Sequence, residues 1–269
     1  MTSDSHQPDL YDIHCHILPG LDDGPAETED SLAMAETAVA IGVKAVVATP
    51  HTSDVQLKGG PGALWQHLET FRGTLREKGV PLEVLPGAEH RLLPELPDSD
   101  AERALTLNGS RYLLFELDFY QYPLYTDETL FQLRLRGLTP VIAHPERQTT
   151  IQAKLSLLEG LVERGVLVQV DAGSLVGGFG SSAETAAWRI LELGLAHCVA
   201  SDAHSSHGPR PTAALGQAMA LVARRFGQEM AGLLFCHNPG AMINNRPPSP
   251  TRPTQRRRVR WPARWLRGE

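Results

Sequence analysis

The sequence predicts an α/β fold built as a parallel sheet or a parallel barrel, and three observations predict it. Seven short apolar runs rich in β-branched residues alternate with segments of helical periodicity, which is typical of parallel strands joined by helices. The chain has 269 residues, of which 42% are hydrophobic, and this is enough for one sizeable core. Histidines and carboxylates recur where the apolar runs end.

The individual elements follow from the spacing of apolar residues. Strands are predicted, in chain order, at residues 10–14, 45–49, 83–87, 112–116, 140–143, 167–171 and 197–200. Helices are predicted between them at residues 27–42, 63–79, 127–137, 151–165, 183–194 and 211–225. Acidic residues crowd the first turn of the first helix and Gly42 follows its last turn, as helix ends favour. The glycine-rich stretch after His51 is predicted to be a flexible loop.

The chain is predicted to form one domain over residues 1–245 and a tail over residues 246–269. The tail is rich in proline and carries eight of the 25 basic residues but only one of the 31 acidic residues. The domain is therefore strongly acidic, although the whole chain has a net charge of −6, and this argues against nucleic-acid binding. We expect the tail to be solvated, to dock through Trp261 and Trp265, or to contact an anionic membrane surface weakly.

The sequence also bears on where the protein acts. Its N-terminus lacks the basic and then apolar order of a signal peptide, and no apolar run approaches the ~20 residues of a membrane span. Cys15, Cys198 and Cys236 are odd in number and scattered. They favour reduced thiols in a cytoplasmic protein over a disulfide framework.

Metal-binding residue types stand at the carboxyl ends of six predicted strands, and these ends would face one common mouth in a parallel barrel. His14 and His16 are two residues apart, and so are Asp202 and His204. Side chains alternate along a strand, so both members of each pair point the same way and Cys15 points away. Such recurrence predicts a metal site. The strand-end residues are His14, His16, His51, Glu89, Glu116, His144, Asp202 and His204, and the pair Asp22 and Asp23 follows the first strand.

Several of these stretches resemble a known family. "DIHCHILPGLDDGP", "ATPH", "PGAE", "LLFEL", "AHPER" and "SDAH" are similar to motifs of the polymerase and histidinol phosphatase (PHP) superfamily. Within it, they resemble most the capsule-type bacterial manganese-dependent protein tyrosine phosphatases. The resemblance extends from about Asp12 to Asn238–Pro239, and it implies a distorted seven-stranded (β/α) barrel, the PHP fold.

The resemblance implies three divalent metal ions, with manganese first and iron, cobalt, zinc or magnesium as alternatives. Asp22 would lie outside the ligand set, as a loop cap or as an acceptor behind it. Carried over residue by residue, one ion would take His14, His16, Glu89 and Asp202; a second would take Glu89 as a bridge, Glu116 and His144; the third would take Asp23, His51 and His204.

Phosphate recognition requires positive groups that are not ligands. Arg147 and Arg210 match positions where the family places arginines for the substrate phosphate, and the guanidinium fork suits phosphate oxygens. No cysteine is followed by an arginine six residues later, so the loop of cysteine-dependent phosphatases is absent from the sequence. The nucleophile implied is a metal-activated hydroxide. The aromatic stretch with Phe119, Tyr120, Tyr122 and Tyr125 is expected either to receive a phosphotyrosine ring or to pack as a loop.

The resemblance implies a phosphatase acting on phosphotyrosine, in particular on the tyrosine-rich tail of a bacterial kinase that regulates capsule or exopolysaccharide synthesis. One alternative is a small-molecule phosphomonoesterase such as histidinol-phosphate phosphatase. Another is a metal-binding regulatory module without turnover. Glu116 favours the tyrosine phosphatase branch, because many other members of the superfamily carry histidine there.

Overall fold

The computed structural model describes residues 9–98, 105–208 and 210–251, and structural statements here concern those residues. Within them, eight strands pair in parallel to form two sheets. The first three strands form one sheet and the other five form the second, with neighbours in chain order. The strands are β1 (Leu10–Cys15), β2 (Val43–Ala48), β3 (Glu83–Pro86), β4 (Glu89–Arg91), β5 (Tyr112–Glu116), β6 (Thr139–Ala143), β7 (Leu167–Asp171) and β8 (Cys198–Ala200).

Helices connect the strands, as the sequence pattern predicted. None of them, in the described ranges, is both long and apolar enough to cross a bilayer. Single 3₁₀ turns occupy Leu96–Asp98, Leu107–Gly109 and Pro145–Arg147, and a π turn occupies Leu233–His237. The helices are α1 (Thr28–Ala40), α2 (Thr52–Leu57), α3 (Pro61–Lys78), α4 (Thr126–Leu135), α5 (Thr149–Ala153), α6 (Ser156–Glu163), α7 (Ala172–Leu175), α8 (Ser181–Glu192), α9 (Ala214–Phe226), α10 (Gln228–Gly232) and α11 (Asn238–Ile243).

The two sheets are joined at two places. Beyond β1 and β8, the His16 amide donates to the Ala203 carbonyl at 2.9 Å, and Cys15 and Ala203 form an isolated parallel bridge. Beyond β2, the Glu89 amide donates to the Pro50 carbonyl at 3.1 Å. The carboxyl ends of strands from both sheets are therefore brought to one mouth.

The structure has eight strands where the sequence analysis expected seven, because the third predicted strand is broken. β3 pairs with β2, whereas β4 pairs with β5 in the other sheet, so the chain changes sheets between Pro86 and Glu89. Gly87 lies at this break, and a Cβ added to it would be 2.6 Å from Val47 Cγ1. Only glycine allows the backbone to pass so close to β2 at the point of the change.

Two apolar clusters pack on the two faces of the strands. Leu113 and Phe115 of β5 join the large cluster formed with the helices, while Tyr112 and Leu114 join a smaller one between the strands. Glu116 continues the alternation of Tyr112 and Leu114, so β5 delivers its carboxylate at the end of an inner apolar face.

Two expectations about the connections are corrected. The stretch after His51 is not a flexible loop, because α2 and α3 fill it and only residues 58–60 form a turn. The helices α10 and α11 were not predicted, because short segments around a π turn carry no regular period.

The first residues of the predicted tail contact the domain. Ser249 donates its amide to Asn238 Oδ1 at 2.8 Å, and the Thr251 hydroxyl donates to the Ala196 carbonyl. Residues 252–269, which include Trp261 and Trp265, lie outside the described residues.

Candidate metal centre

Nine side chains converge where the carboxyl ends of the strands meet. In the described part of the chain, they form four overlapping groups whose nitrogen and oxygen donors lie within 4.8 Å of one another in each group. We call these nine side chains the donor cluster. Its members are all nine ligands expected from the sequence: His14, His16, Asp23, His51, Glu89, Glu116, His144, Asp202 and His204.

The innermost part of the donor cluster joins both ends of the chain. His14 Nε2 and His16 Nε2 are 3.3 Å apart, and they lie 3.3 and 3.4 Å from Asp202 Oδ1. Glu89 completes the group, with Oε1 3.4 Å from His14 Nε2 and Oε2 3.5 Å from His16 Nε2. A tetrahedral ion bound at ~2.1 Å separates its donors by about 3.4 Å, so these spacings fit a first-row divalent cation.

Further donors extend the cluster on either side of Glu89. His144 Nε2 lies 2.9 Å from Glu89 Oε1, and His51 Nδ1 lies 3.1 Å from Glu89 Oε2. Asp23 Oδ1 is 3.0 Å from His204 Nε2 and 3.4 Å from His51 Nε2. Glu89 thus stands between two sets of donors, and both its oxygens face imidazole nitrogens.

Burial and the neighbouring charges perturb the two glutamates in opposite directions. Burial disfavours ionisation of Glu89, but the adjacent imidazoles, His14 above all, outweigh it and hold the pKa of this carboxyl well below its usual value. Burial, and then repulsion from Glu89, raises the pKa of Glu116 to about 7. A cationic partner for Glu116 is what would keep it ionised at neutral pH.

Acceptors behind the histidines orient their rings. His16 Nδ1 lies 2.6 Å from Asp22 Oδ2, and His14 Nδ1 lies 2.9 Å from Gln169 Oε1 on β7. Each contact fixes the proton on Nδ1 and leaves Nε2 for a cation. Asp22 therefore has the role of an acceptor that the sequence analysis gave as one of its two options. Gln169 was missed, and its only signal is a lone polar residue within the apolar run of β7.

The strand ends that carry two of the donors have unusual backbone. His144 has φ 33° and Asp202 has φ 46°, both in the left-handed region that residues with a Cβ seldom adopt. Such conformations cost about 1–3 kcal/mol and persist where the surroundings fix them. Around Asp202, the Ser201 amide and hydroxyl both donate to the buried Asp12, at 3.0 and 2.5 Å.

Both arginines predicted to bind phosphate lie against the donor cluster. Arg147 Nη1 is 2.6 Å from Asp202 Oδ2, while Arg210 Nη2 is 3.0 Å from Asp23 Oδ2. Among the described residues, no salt bridge joins Arg147 to the neighbouring Glu146, which is buried and accepts from the Ser174 hydroxyl and the Asp171 amide. Each guanidinium is therefore paired with a carboxylate of the donor cluster.

The remaining predicted features divide between the site and the packing. Cys15 is buried in the large apolar cluster, and burial raises the pKa of its thiol well above the usual value, which makes it a poor nucleophile. Phe119 reaches the donor cluster, with its ring centroid 5.6 Å from that of His144. Tyr120 is exposed, and Tyr125 donates to the Leu92 carbonyl, so neither is placed at the donors.

The donor set suits particular cations. All donors are imidazole nitrogens or carboxylate oxygens, a combination that binds manganese, iron, cobalt, zinc or magnesium. Asp23 is half-exposed while the innermost donors are buried. A phosphate group could therefore reach the donor cluster from solvent on the side of Asp23.

Comparisons with known proteins agree with this arrangement. The family model for capsular polysaccharide synthesis, CpsB/CapC, matches residues 10–244. The tyrosine-protein phosphatase YwqE of Bacillus subtilis is 37% identical, over 93% of this chain and 98% of that protein. The tyrosine-protein phosphatase CpsB of Streptococcus pneumoniae is 29% identical, over 87% and 98% of the two chains.

A solved structure from work on YwqE and CpsB, described there as metal-dependent tyrosine phosphatases, shares this fold. It aligns with a TM-score of 0.83 at 36% identity, and the alignment covers 92% of this chain and 100% of that chain.

Proposed function

Because this chain belongs to the CpsB/CapC family of capsular polysaccharide synthesis proteins, we propose that it is a metal-dependent tyrosine-protein phosphatase. The observation that carries the proposal is the convergence of nine nitrogen and oxygen donors on one mouth, with an arginine beside each of two donor groups. Hydrolysis of a phosphate monoester requires positive charge on the phosphoryl oxygens and an activated water. Divalent ions held by the donor cluster would supply both, and the arginines would add positive charge beside them.

We propose that the donor cluster holds three divalent ions, of which manganese is favoured. When bound, such ions polarise phosphoryl oxygens and lower the pKa of a water molecule towards neutrality. The contacts around Glu89 support its role as a bridge, since its Oε1 lies 3.4 Å from His14 Nε2 of the first set and 2.9 Å from His144 Nε2 of the second. The ligand sets are His14, His16, Glu89 and Asp202 for one ion, Glu89, Glu116 and His144 for the second, and Asp23, His51 and His204 for the third.

Arg147 and Arg210 bind the phosphate in this proposal. Each guanidinium neutralises a carboxylate of the donor cluster and can turn its remaining N–H groups to the phosphoryl oxygens. The two arginines approach through different carboxylates, Asp202 and Asp23, so they would orient the phosphate from two positions.

The proposed substrate is a phosphotyrosine-bearing protein, in particular the tyrosine-rich tail of a bacterial kinase that regulates capsule or exopolysaccharide synthesis. The exposure of Asp23 supports access by a protein segment.

We further propose that the protein acts in the cytoplasm, which suits its three buried free cysteines. The two bridges that join the sheets support the distorted barrel implied by the family resemblance.

The first prediction tests the activity itself. Manganese-loaded protein should hydrolyse a phosphotyrosine peptide faster than a phosphoserine peptide or histidinol phosphate, and removal of the metal by a chelator should abolish turnover. Steady-state kinetics with elemental analysis measures both. Preference for histidinol phosphate would instead support the small-molecule phosphomonoesterase, and metal binding without turnover would support the regulatory module.

The second prediction separates phosphate recognition from metal binding. Arg147→Ala and Arg210→Ala should each lower kcat/KM about tenfold or more, because a charge-assisted hydrogen bond contributes roughly 1.5–3 kcal/mol. Metal content should stay at the wild-type level. Arg189→Ala is the matched control, since Arg189 is exposed and pairs only with Glu192 among the described residues. Wild-type kinetics in both test variants would remove the two arginines from the site.

A further inference from the structure

Arg147 is held by four side chains from three separate segments. Its Cζ lies 4.8 Å from the ring centroid of Phe119 and 4.1 Å from that of Phe179, over both rings. Its Nη1 lies 2.6 Å from Asp202 Oδ2 and 3.4 Å from Asp171 Oδ2. In the described part of the chain, Nε and Nη2 have no hydrogen-bond acceptor. The rings and the carboxylates thus leave one edge of the guanidinium available.

The rings are fixed by their own segments. Phe179 follows two glycines in the connection between α7 and α8, and the Gly178 amide donates to the Gly173 carbonyl at 2.8 Å. A Cβ on Gly173 would lie 2.7 Å from Phe179 Cε2, so the absence of a side chain there makes room for the ring. Phe119 is tied through its carbonyl, which accepts from the Thr149 amide at 2.8 Å.

This placement has a physical consequence for Arg147. Arginine has many rotamers, and a guanidinium next to Asp171 and Asp202 could turn more of its N–H groups towards them. A cation over an aromatic face is attracted by the ring quadrupole, and this attraction keeps the guanidinium against the face. Two such faces restrict the plane of the guanidinium before any ligand binds.

We propose that Phe119 and Phe179 are positioning residues that hold the Nε–Nη2 edge of Arg147 ready for a phosphate group. This inference rests on the proposed function, in which Arg147 binds the phosphate. It assigns a role to Phe179, which lies 32 residues away from Arg147 in the sequence and carries no motif. The two rings act through Arg147 and need not touch the phosphate.

The test compares side chains with and without an aromatic face. Phe179→Leu keeps an apolar side chain but removes the ring, while Phe179→Tyr keeps the ring, and the same pair is made at Phe119. On metal-loaded protein, each leucine variant should weaken binding of inorganic phosphate about 3- to 30-fold, the range of one cation–π contact, and raise KM for a phosphotyrosine peptide similarly. Each tyrosine variant should stay within about twofold of wild type, with metal content unchanged throughout.

A second arm distinguishes positioning from a general packing effect. In an Arg147→Ala background, Phe179→Leu should cause no further loss of phosphate binding, because the side chain that it positions is gone. Equal losses in both backgrounds, or tyrosine variants as weak as the leucine variants, would overturn the inference. Calorimetry with inorganic phosphate measures binding without turnover. Failure to hydrolyse phosphotyrosine while phosphate still binds with this dependence would therefore count against the proposed function alone, and wild-type protein that binds no phosphate would overturn both.

Discussion

Single residues outside the donor cluster decide how its histidines are presented. His14 lies on β1 and His16 directly follows it, yet their Nδ1 atoms face acceptors from two other parts of the chain, Gln169 and Asp22. Gln169 Oε1 is also 3.4 Å from the His144 amide, so one side chain contacts two strands that carry donors. The orientation of these rings is therefore a property of the assembled strands and not of the His-x-His pair.

The third prediction concerns Gln169. Gln169→Leu should weaken metal binding about 10- to 100-fold, because loss of the acceptor frees the tautomer and the ring of His14. A competition titration against a chelator measures the affinity. Gln132→Leu is the control, since Gln132 lies on α4 and its amide donates only to Glu128 among the described residues. Wild-type affinity in Gln169→Leu would show that His14 is oriented without this contact.

The donors at the strand ends were predictable from the sequence because each stands where an apolar run ends, and parallel strands bring such positions together whatever the exact strand ends are. Asp23 was assigned as a ligand through the family resemblance. Asp22 could be placed next to the ligands for the same reason. Gln169 and Phe179 could not be found in this way. Gln169 lies inside a strand, and its side chain reaches the His144 amide only because β7 pairs with β6. Phe179 lies in the connection between α7 and α8, next to Gly177, Gly178 and Gly180, and this stretch has no regular spacing of apolar residues.

At the scale of elements, the break between β3 and β4 brings Glu89 to the donor cluster. A continuous strand at this position would keep pairing with β2, whereas the break lets β4 pair with β5 and turns Glu89 towards His14 on β1 and His144 after β6. The sequence analysis predicted one strand over residues 83–87, although Pro86 and Gly87 form a pair that is typical of turns. Tertiary pairing decides the division into two short strands.

The fourth prediction tests the close approach at this break. Gly87→Ala should lower the free energy of unfolding by about 1–3 kcal/mol, because its Cβ would meet Val47 Cγ1. Adding Val47→Ala removes that atom. The double variant should therefore lose less free energy of unfolding than the two single variants lose together, by at least ~0.5 kcal/mol. Chemical denaturation measures all three.

Gly62→Ala is the control for this series. A Cβ there meets nothing within 4 Å, and Gly62 lies inside α3, so the change should be neutral or stabilising. Additive losses in the Gly87 and Val47 variants would mean that the break has another cause.

At the scale of the whole molecule, the donor cluster and the last described residues lie at opposite ends of the strands. The carboxyl ends carry the donor cluster, whereas the last described residues return to the opposite ends. The Tyr112 hydroxyl, at the start of β5, donates to the Arg246 carbonyl at 2.8 Å, and Thr251 contacts Ala196, which precedes β8. Asp202 follows β8, so that strand separates the point where the described chain ends from the donors.

The fifth prediction follows from this separation and concerns two truncations of the chain. Removing residues 252–269 should leave turnover of a phosphotyrosine peptide and the melting temperature unchanged, because this truncation keeps the contact of Thr251 with Ala196 and every other contact among the described residues. Removing residues 246–269 should lower the melting temperature, because it also takes away the partners of Asn238 and of the Tyr112 hydroxyl, and a buried polar group without a partner costs about 1–3 kcal/mol. Calorimetry and steady-state kinetics on both truncated proteins measure the difference.

A second measurement concerns the membrane. Sedimentation with anionic vesicles at low and high salt, on full-length protein and on the protein without residues 252–269, separates a solvated segment from one that contacts a membrane surface. If loss of residues 252–269 alone abolished turnover of the peptide, those residues would have to reach the donor cluster from the far end of the strands.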